Sequence, residues 1–310
     1  MGEKTNLYFL TGFLGSGKTT LLLKLLNEVN GEKTGVIQNE FGKLGIDGEI
    51  LRNDDIKITE INRGSIFCSC LKLNFAHALA DMADYNLKYL FVESSGLADP
   101  SNVEEILEGV KVMKGDFYDF KGVICLIDAV NFLDQLKDLE TVNRQLKHCH
   151  LAIVNKTDLV DKKQLYRVLR AVAEVNPVCR VITCEFGDFG QNLLQENLLR
   201  YTWAECEDTT NSEDTKPKTL FMNYEGIMKR EVLQKFLDSV MEDCYRIKGF
   251  FHLEDGWNQV DVVGNITDYK PCEPKEKSQL VIISKVGPKI IRSLVTNWQD
   301  ITGEKLDLKN

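Results

Sequence analysis

Gly12-Phe13-Leu14-Gly15-Ser16-Gly17-Lys18-Thr19, GFLGSGKT, is the stretch on which the reading of this chain turns. It fits G-x-x-x-x-G-K-[ST], a pattern that a chain of this length meets by chance on the order of once in a hundred. The apolar run NLYFLT (6–11) precedes it and the leucine-rich KTTLLLKLLNEV (18–29) follows it. Strand, glycine-rich turn and helix thus stand in the order that a phosphate-binding loop requires. Glycines let backbone N–H groups converge on phosphate oxygens, and the helix N-terminus adds positive potential. Gly12, Gly15, Ser16, Gly17, Lys18, Thr19 and Thr20 form the phosphate-binding set. In it Lys18 reaches the β- and γ-phosphates and Thr19 holds Mg2+.

Outward from this loop, apolar strand-like runs alternate with helical patterns. The strands are TGVIQN (34–39), IKITEI (56–61), KYLFVES (88–94), GVICLID (122–128), HLAIVNK (150–156) and CRVITC (179–184). Helical patterns occupy 73–84, 131–147, 161–174 and 190–200, and DPSNVEEI opens another helix. Near-continuous apolar strands separated by helices imply an α/β fold of the P-loop NTPase type, a mostly parallel sheet covered on both faces. The stretch AECEDTTNSEDTKPK (204–218) is polar and acidic and reads as a linker or loop. Beyond it come strand, helix, two adjacent strands, strand and helix, a smaller α+β domain with mostly antiparallel strands. The expected division is 1–203, the P-loop domain; 204–217, the acidic linker or loop; and 218–310, the C-terminal domain.

Two further motifs give the nucleotide its identity. In NKTD (155–158) the Asp158 carboxylate accepts from both N1–H and the 2-amino group of guanine, a donor pair that adenine lacks. Lys156 lays its aliphatic stem along the base, and Asn155 ties this loop to the phosphate loop. In YLFVESSGLADP (89–100) Glu93 ends an apolar strand, suited to a Mg2+-bound or attacking water, and the Gly96 amide is placed to sense the γ-phosphate. Lys18 and Glu93 are therefore the catalytic candidates, and Asp158 selects GTP over ATP.

The chain has 310 residues, a formal net charge of −9, 43% hydrophobic and 27% charged residues. That charge repels nucleic-acid phosphates and argues against nucleic acid as a partner. No apolar run reaches the roughly 20 residues of a membrane span, and no secretion signal is read at the N-terminus. Nine cysteines, an odd number, suit a reduced cytoplasmic protein. Cys125, Cys149, Cys179 and Cys184 lie in or beside apolar runs and are expected to pack in the core.

RGSIFCSC (63–70) places Cys68 and Cys70 one residue apart. Two thiolates at this spacing hold a soft or borderline metal if one or two further ligands complete the shell, and Glu40 is the candidate third ligand. A structural pair and a redox pair are the competing readings.

YFLTGFLGSGKTTLL, NEFGKLGIDGEIL, FVESSGLADP and IVNKTDLV resemble, in this order, the motifs of the CobW-like metal-related P-loop GTPases, relatives of UreG and HypB. YRIKGFFHLEDG is similar to the family's C-terminal domain. The resemblance implies GTP hydrolysis with Mg2+, coupled to delivery of a transition metal, zinc or cobalt, to a client metalloprotein or cobalamin-related enzyme. It also implies a switch at NEFGKLGID and a nucleotide-dependent homodimer. The family's G-C-x-C-C motif corresponds to Gly64, Ser65, Ile66, Phe67 and Cys68, so Ser65 and Phe67 stand where the pattern has cysteines, and Lys43 stands where an acid often follows NEFG. Four histidines, His77, His148, His150 and His252, make no histidine-rich loop. The alternative function is a GTP-dependent assembly or activation factor that carries no metal. A small-molecule kinase is a third reading, in which NKTD has no purpose.

Overall fold

The computed structural model describes residues 3–38, 56–60, 72–186, 188, 193–207 and 217–309. The chain divides into two compact units, Met1–Thr215 and Lys216–Asn310. The first is built from β1 (Thr5–Gly12), α1 (Lys18–Glu28), β2 (Thr34–Gln38), β3 (Ile56–Glu60), α2 (Lys72–Met82), β4 (Tyr89–Glu93), α3 (Val103–Lys114), β5 (Tyr118–Asp128), α4 (Phe132–Asp138), α5 (Glu140–Lys147), β6 (Leu151–Asn155), α6 (Lys162–Val175) and β7 (Arg180–Thr183). Its seven strands form one sheet in the order β3-β2-β4-β1-β5-β6-β7, and every pairing is parallel.

Burial explains why the strands read as continuous apolar runs rather than alternating ones. Leu7, Tyr8, Phe9 and Leu10 of β1 are all at most 1% exposed, because both faces of the central strand are covered. On one face Tyr8 and Leu10 pack with Leu21, Leu22 and Leu25 of α1. The helix that begins at the phosphate loop is thereby fixed against the strand that ends at it.

Register sets the functional edge. Leu10 lies opposite Glu93, which lies opposite Gln38; Gly12 lies opposite Leu126; and Asp128 lies opposite Asn155. The C-terminal ends of β1, β2, β4, β5 and β6 therefore meet along one edge, where ligands bind in open parallel sheets.

The second unit comprises β8 (Thr219–Tyr224), α7 (Arg230–Val240), β9 (Cys244–Leu253), β10 (Gly256–Val263), β11 (Ile266–Pro271), β12 (Ser278–Ser284), α8 (Ile290–Thr302) and β13 (Asp307–Lys309). Its antiparallel sheet runs β11-β10-β9-β12-β8-β13. Ile247, Phe251 and Leu253 on one face of β9, with Cys244 at its start, join Phe236, Leu237 and Trp298 of the two helices in a core of its own.

Several local expectations differ from the structure. The pattern at 131–147 forms two helices, because Leu139 between them is extended (φ −130°, ψ 111°). Within 190–200 the described residues form only short 3-10 turns, at Leu193–Gln195 and from Leu198. β5 begins four residues before the expected run, at Tyr118, and β11 and β13 are strands that the sequence reading did not include.

Candidate functional site

The phosphate loop leaves β1 through three glycines in the left-handed region, Gly12 (φ 129°), Gly15 (φ 76°) and Gly17 (φ 104°), conformations that side chains with a Cβ resist. A Cβ on Gly12 would stand 2.2 Å from the Leu126 carbonyl oxygen, so the turn is pressed against β5. Gly17 caps α1, whose first residues are Lys18, Thr19 and Thr20. Lys18 is 8% exposed, and its ammonium donates to the carbonyls of Gly12 (2.8 Å) and Phe13 (3.0 Å). The charge is thus held over the loop's own backbone. Thr20 is exposed on the same turn.

Glu93 closes the second side. Thr19 Oγ1 donates to Glu93 Oε1 (2.6 Å), and Gln38 Nε2 donates to Glu93 Oε2 (2.9 Å). The carboxylate is 5% exposed and joins the first turn of α1 and the end of β2 to the end of β4. Gly96 follows so closely that a Cβ there would lie 2.7 Å from the Leu14 backbone nitrogen. The loop after β4 therefore touches the phosphate loop directly. Among the described residues, the buried hydroxyls of Ser16 and Ser95, one on each of these loops, have no protein partner. Buried donors without acceptors are costly, and phosphate oxygens would satisfy them. The glycine cradle, the Lys18 charge and the Thr19–Glu93 oxygens fit a Mg2+-bound nucleotide phosphate.

The third side is the loop after β6. Asn155 Nδ2 donates to the Ser16 carbonyl (3.0 Å), which binds the NKTD loop to the phosphate loop. A Cβ on Gly17 would meet the same amide at 2.5 Å. Cys184 Sγ donates to Asn155 Oδ1 (3.5 Å), so this core cysteine also helps orient the amide. Lys156 adopts a left-handed backbone (φ 62°), and its ammonium is held by Asp128 Oδ2 (2.8 Å). Asp158 lies exposed in the following turn.

The sequence reading brought to this edge Gly12, Gly15, Ser16, Gly17, Lys18, Thr19, Glu93, Gly96, Asn155, Lys156 and Asp158. It did not identify Gln38 or Asp128 as partners. Asp128 had a signal, an acid at the end of a buried parallel strand, whereas Gln38 had none beyond its position. Glu40, Cys68 and Cys70, the candidate transition-metal ligands, lie outside the described residues. His148, Cys149 and His150 line one small cavity with Cys206. His150 Nδ1 accepts from Val123 N–H (3.0 Å), which leaves the proton on Nε2 and removes that nitrogen as a metal donor. Among the described residues, no three His, Cys, Asp or Glu side chains converge to hold a metal. No described helix is long and apolar enough to cross a membrane.

Several known proteins are similar in sequence to this chain. YjiA of Escherichia coli, named a zinc chaperone, is 32% identical over 191 residues, which span 60% of this chain and 59% of that protein. The zinc-regulated GTPase metalloprotein activator 1 of Schizosaccharomyces pombe is 25% identical over 338 aligned positions, covering 91% of this chain and 80% of that protein. The crystal structure of Zn(II)-bound YjiA GTPase from E. coli overlaps 96% of this chain and 99% of its own, with 21% identity and a TM-score of 0.48. The CobW C-terminal domain profile matches residues 218–296. The nucleotide-binding domain profile of CobW, HypB and UreG matches residues 6–183, more than half of the chain, and the protein belongs to the CobW/HypB/UreG family.

Proposed function

We propose that the protein binds and hydrolyses GTP with Mg2+ and couples the nucleotide state to delivery of a transition metal, zinc or cobalt, to a client protein or cofactor pathway. The observation that carries the nucleotide reading is the meeting of three loops: Glu93 on Thr19, Gly96 on Leu14, and Asn155 on Ser16. A phosphate cradle alone would serve any nucleotide. Its hydrogen bond to the NKTD loop supports a fixed distance between phosphate and base, and so supports selection of guanine.

In this reading Lys18 supplies a positive charge to the β- and γ-phosphates, and the backbone amides of the loop bind the remaining oxygens. Bound through Thr19, Mg2+ would neutralise charge that develops on the transferred phosphoryl group. The direct Thr19–Glu93 hydrogen bond supports a role for Glu93 in holding the water of a Mg2+ that Thr19 would bind. Asp158 accepts from N1–H and the 2-amino group, and Lys156, fixed by Asp128, presents its stem to the base. The GTP state pairing as a homodimer, residence in the cytoplasm and a client recognised by residues 218–310 belong to the same proposal. The chain's net charge of −9 supports a protein or small-molecule partner over nucleic acid.

Fluorescent GDP and ADP analogues titrated with Mg2+ test the nucleotide assignment. Binding of the guanine analogue at least a hundredfold tighter is expected, and equal affinity or equal hydrolysis of ATP would remove Asp158 from its role. The replacement of two motif cysteines by Ser65 and Phe67 favours one alternative, a GTP-dependent assembly or activation factor that carries no metal. Anaerobic Co2+ titration in GDP and in a non-hydrolysable GTP analogue separates the two. A thiolate-to-cobalt band that needs Cys68 and Cys70 and shifts with nucleotide supports metal delivery; no band, with nucleotide bound, supports the metal-free factor.

A further inference from the structure

α5 is eight residues long, yet buries two long polar side chains, Arg144 (7% exposed) and Gln145 (1%). Both are aimed at the loop that follows Glu93. Gln145 Nε2 donates to the carbonyls of Gly96 (3.2 Å) and Ala98 (2.8 Å). Arg144 Nε donates to Asp99 Oδ2 (2.7 Å), and Arg144 Nη2 to Ser101 Oγ (2.8 Å). Asp99 is wholly buried and also accepts from the Ser101 N–H (3.0 Å). The loop is therefore clamped from Gly96 to Ser101 by two adjacent residues of one helix.

The same arginine has a further partner. Its Nη1 donates to Glu207 Oε2 (2.9 Å), Lys147 bonds the other carboxylate oxygen, and the Glu207 N–H donates to the Ser101 carbonyl (3.1 Å). Glu207 lies in the acidic stretch that leads along the chain into the second unit. The hydrogen bond from Lys147 holds its carboxyl below the usual range, so the group is ionised at neutral pH. One guanidinium thus grips both the loop bearing Gly96 and the start of the connecting segment.

We propose that Arg144 and Gln145 are positioning residues for the Gly96 loop, and that Glu207 carries the state of that loop to residues 204–207. The proposal rests on the GTP reading above, in which the Gly96 amide bonds the γ-phosphate. With γ-phosphate present, the loop is held at Gly96 as well as at Ala98, Asp99 and Ser101. Loss of the phosphate removes the Gly96 contact while the α5 clamp stays in place, and the shared arginine passes the difference to Glu207. The requirement is contiguous contact with a differential ligand interaction at one end, and Gly96 and Glu207 are joined by named hydrogen bonds to Gln145 and Arg144, which are themselves adjacent in the chain.

Hydrogen exchange of the full chain, read by mass spectrometry in GDP·Mg2+ and in a non-hydrolysable GTP analogue with Mg2+, tests this. In the wild type, exchange over 94–101 and 204–207 should slow at least threefold with the analogue. Glu207→Gln, a change at a partly exposed side chain, should keep the slowing at 94–101 and lose it at 204–207. Its GTP turnover and GDP affinity should stay within twofold. Arg144→Lys should lose both effects and lower kcat about tenfold while leaving GDP affinity within twofold, since GDP has no γ-phosphate. Three outcomes overturn the inference: no state dependence at 204–207 although the analogue protects residues 12–19, state dependence retained in Glu207→Gln, or GDP affinity falling in parallel with kcat in Arg144→Lys. Absence of protection at 12–19 by either nucleotide would instead defeat the GTP reading, and this inference with it.

Discussion

Gly12 shows how one missing side chain sets the site. Its φ of 129° and the 2.2 Å that would separate a Cβ from the Leu126 carbonyl oxygen are independent penalties. The oxygen is backbone in a buried parallel strand and has no rotamer to yield. Gly12→Ala should therefore destabilise the nucleotide unit by about 3 kcal/mol and abolish nucleotide binding. Urea denaturation and analogue titration check the two halves separately. Asp158 makes the opposite case, an exposed residue whose value lies in hydrogen-bond polarity alone. An amide at this position still accepts from N1–H but meets the 2-amino group with a donor. Asp158→Asn should lower GTP affinity at least tenfold and improve binding of xanthosine nucleotides, whose C2 carbonyl accepts that donor, with no change in thermal stability. Competition binding with GTP and XTP measures the exchange, and unchanged GTP preference would place guanine selection elsewhere.

Where the sequence could be read and where it could not follows from how far each element's determinants extend along the chain. β1, α1 and the loop between them were readable because strand, turn and helix signals are contiguous. Glu93 and Asn155 were readable because each ends an apolar run. Asp128 also ends such a run, but its bond to Lys156, 28 residues away, was not readable, nor were the roles of Gln38 and Arg144, whose partners lie 55 and 45 residues away. The continuous helical period across 131–147 hid the extended Leu139, which divides the segment and gives α5 its own axis. β11 escaped because its inward-facing Thr267 and Tyr269 are only half-buried and its outward Ile266 is exposed, leaving no apolar alternation, and β13 is only three residues long. A similarly hidden requirement sits in β9. A Cβ on Gly249 would lie 1.9 Å from the Gln279 carbonyl oxygen of β12, so the β9–β12 pairing needs glycine there. Gly249→Ala should cost the second unit about 3 kcal/mol, seen as a lower denaturation midpoint in the fluorescence of Trp257 and Trp298.

Each unit has its own buried core, and the acid response of the protein should be set by the first, where two histidines are buried without charge. Burial, and next the neighbouring His148, push the His150 imidazole down to about 4, and burial also lowers His148. The Val123 N–H donated to His150 Nδ1 opposes protonation at that nitrogen. In the unfolded chain both rings take up protons near pH 6.5. Between pH 6.5 and 4 the unfolded state therefore binds more protons, and stability falls as pH falls. For His150 alone the loss from pH 7 to pH 5 is about 2 kcal/mol. Glu207 acts in the same direction lower down, because its depressed carboxyl contributes stability above its unfolded value near 4.5 and loses it as pH falls further. The net charge of −9 pulls the other way, since acidification relieves self-repulsion across the whole chain. The two effects are separable by substitution. His150→Gln keeps an acceptor for Val123 N–H and changes the net charge at pH 7 by nothing. Urea titrations of the wild type at pH 7, 6 and 5 should show the decline, and the variant should remove about one proton from its slope. An identical slope in the variant would mean that His150 is protonated in the folded unit, and that the hydrogen bond from Val123 does not fix its tautomer.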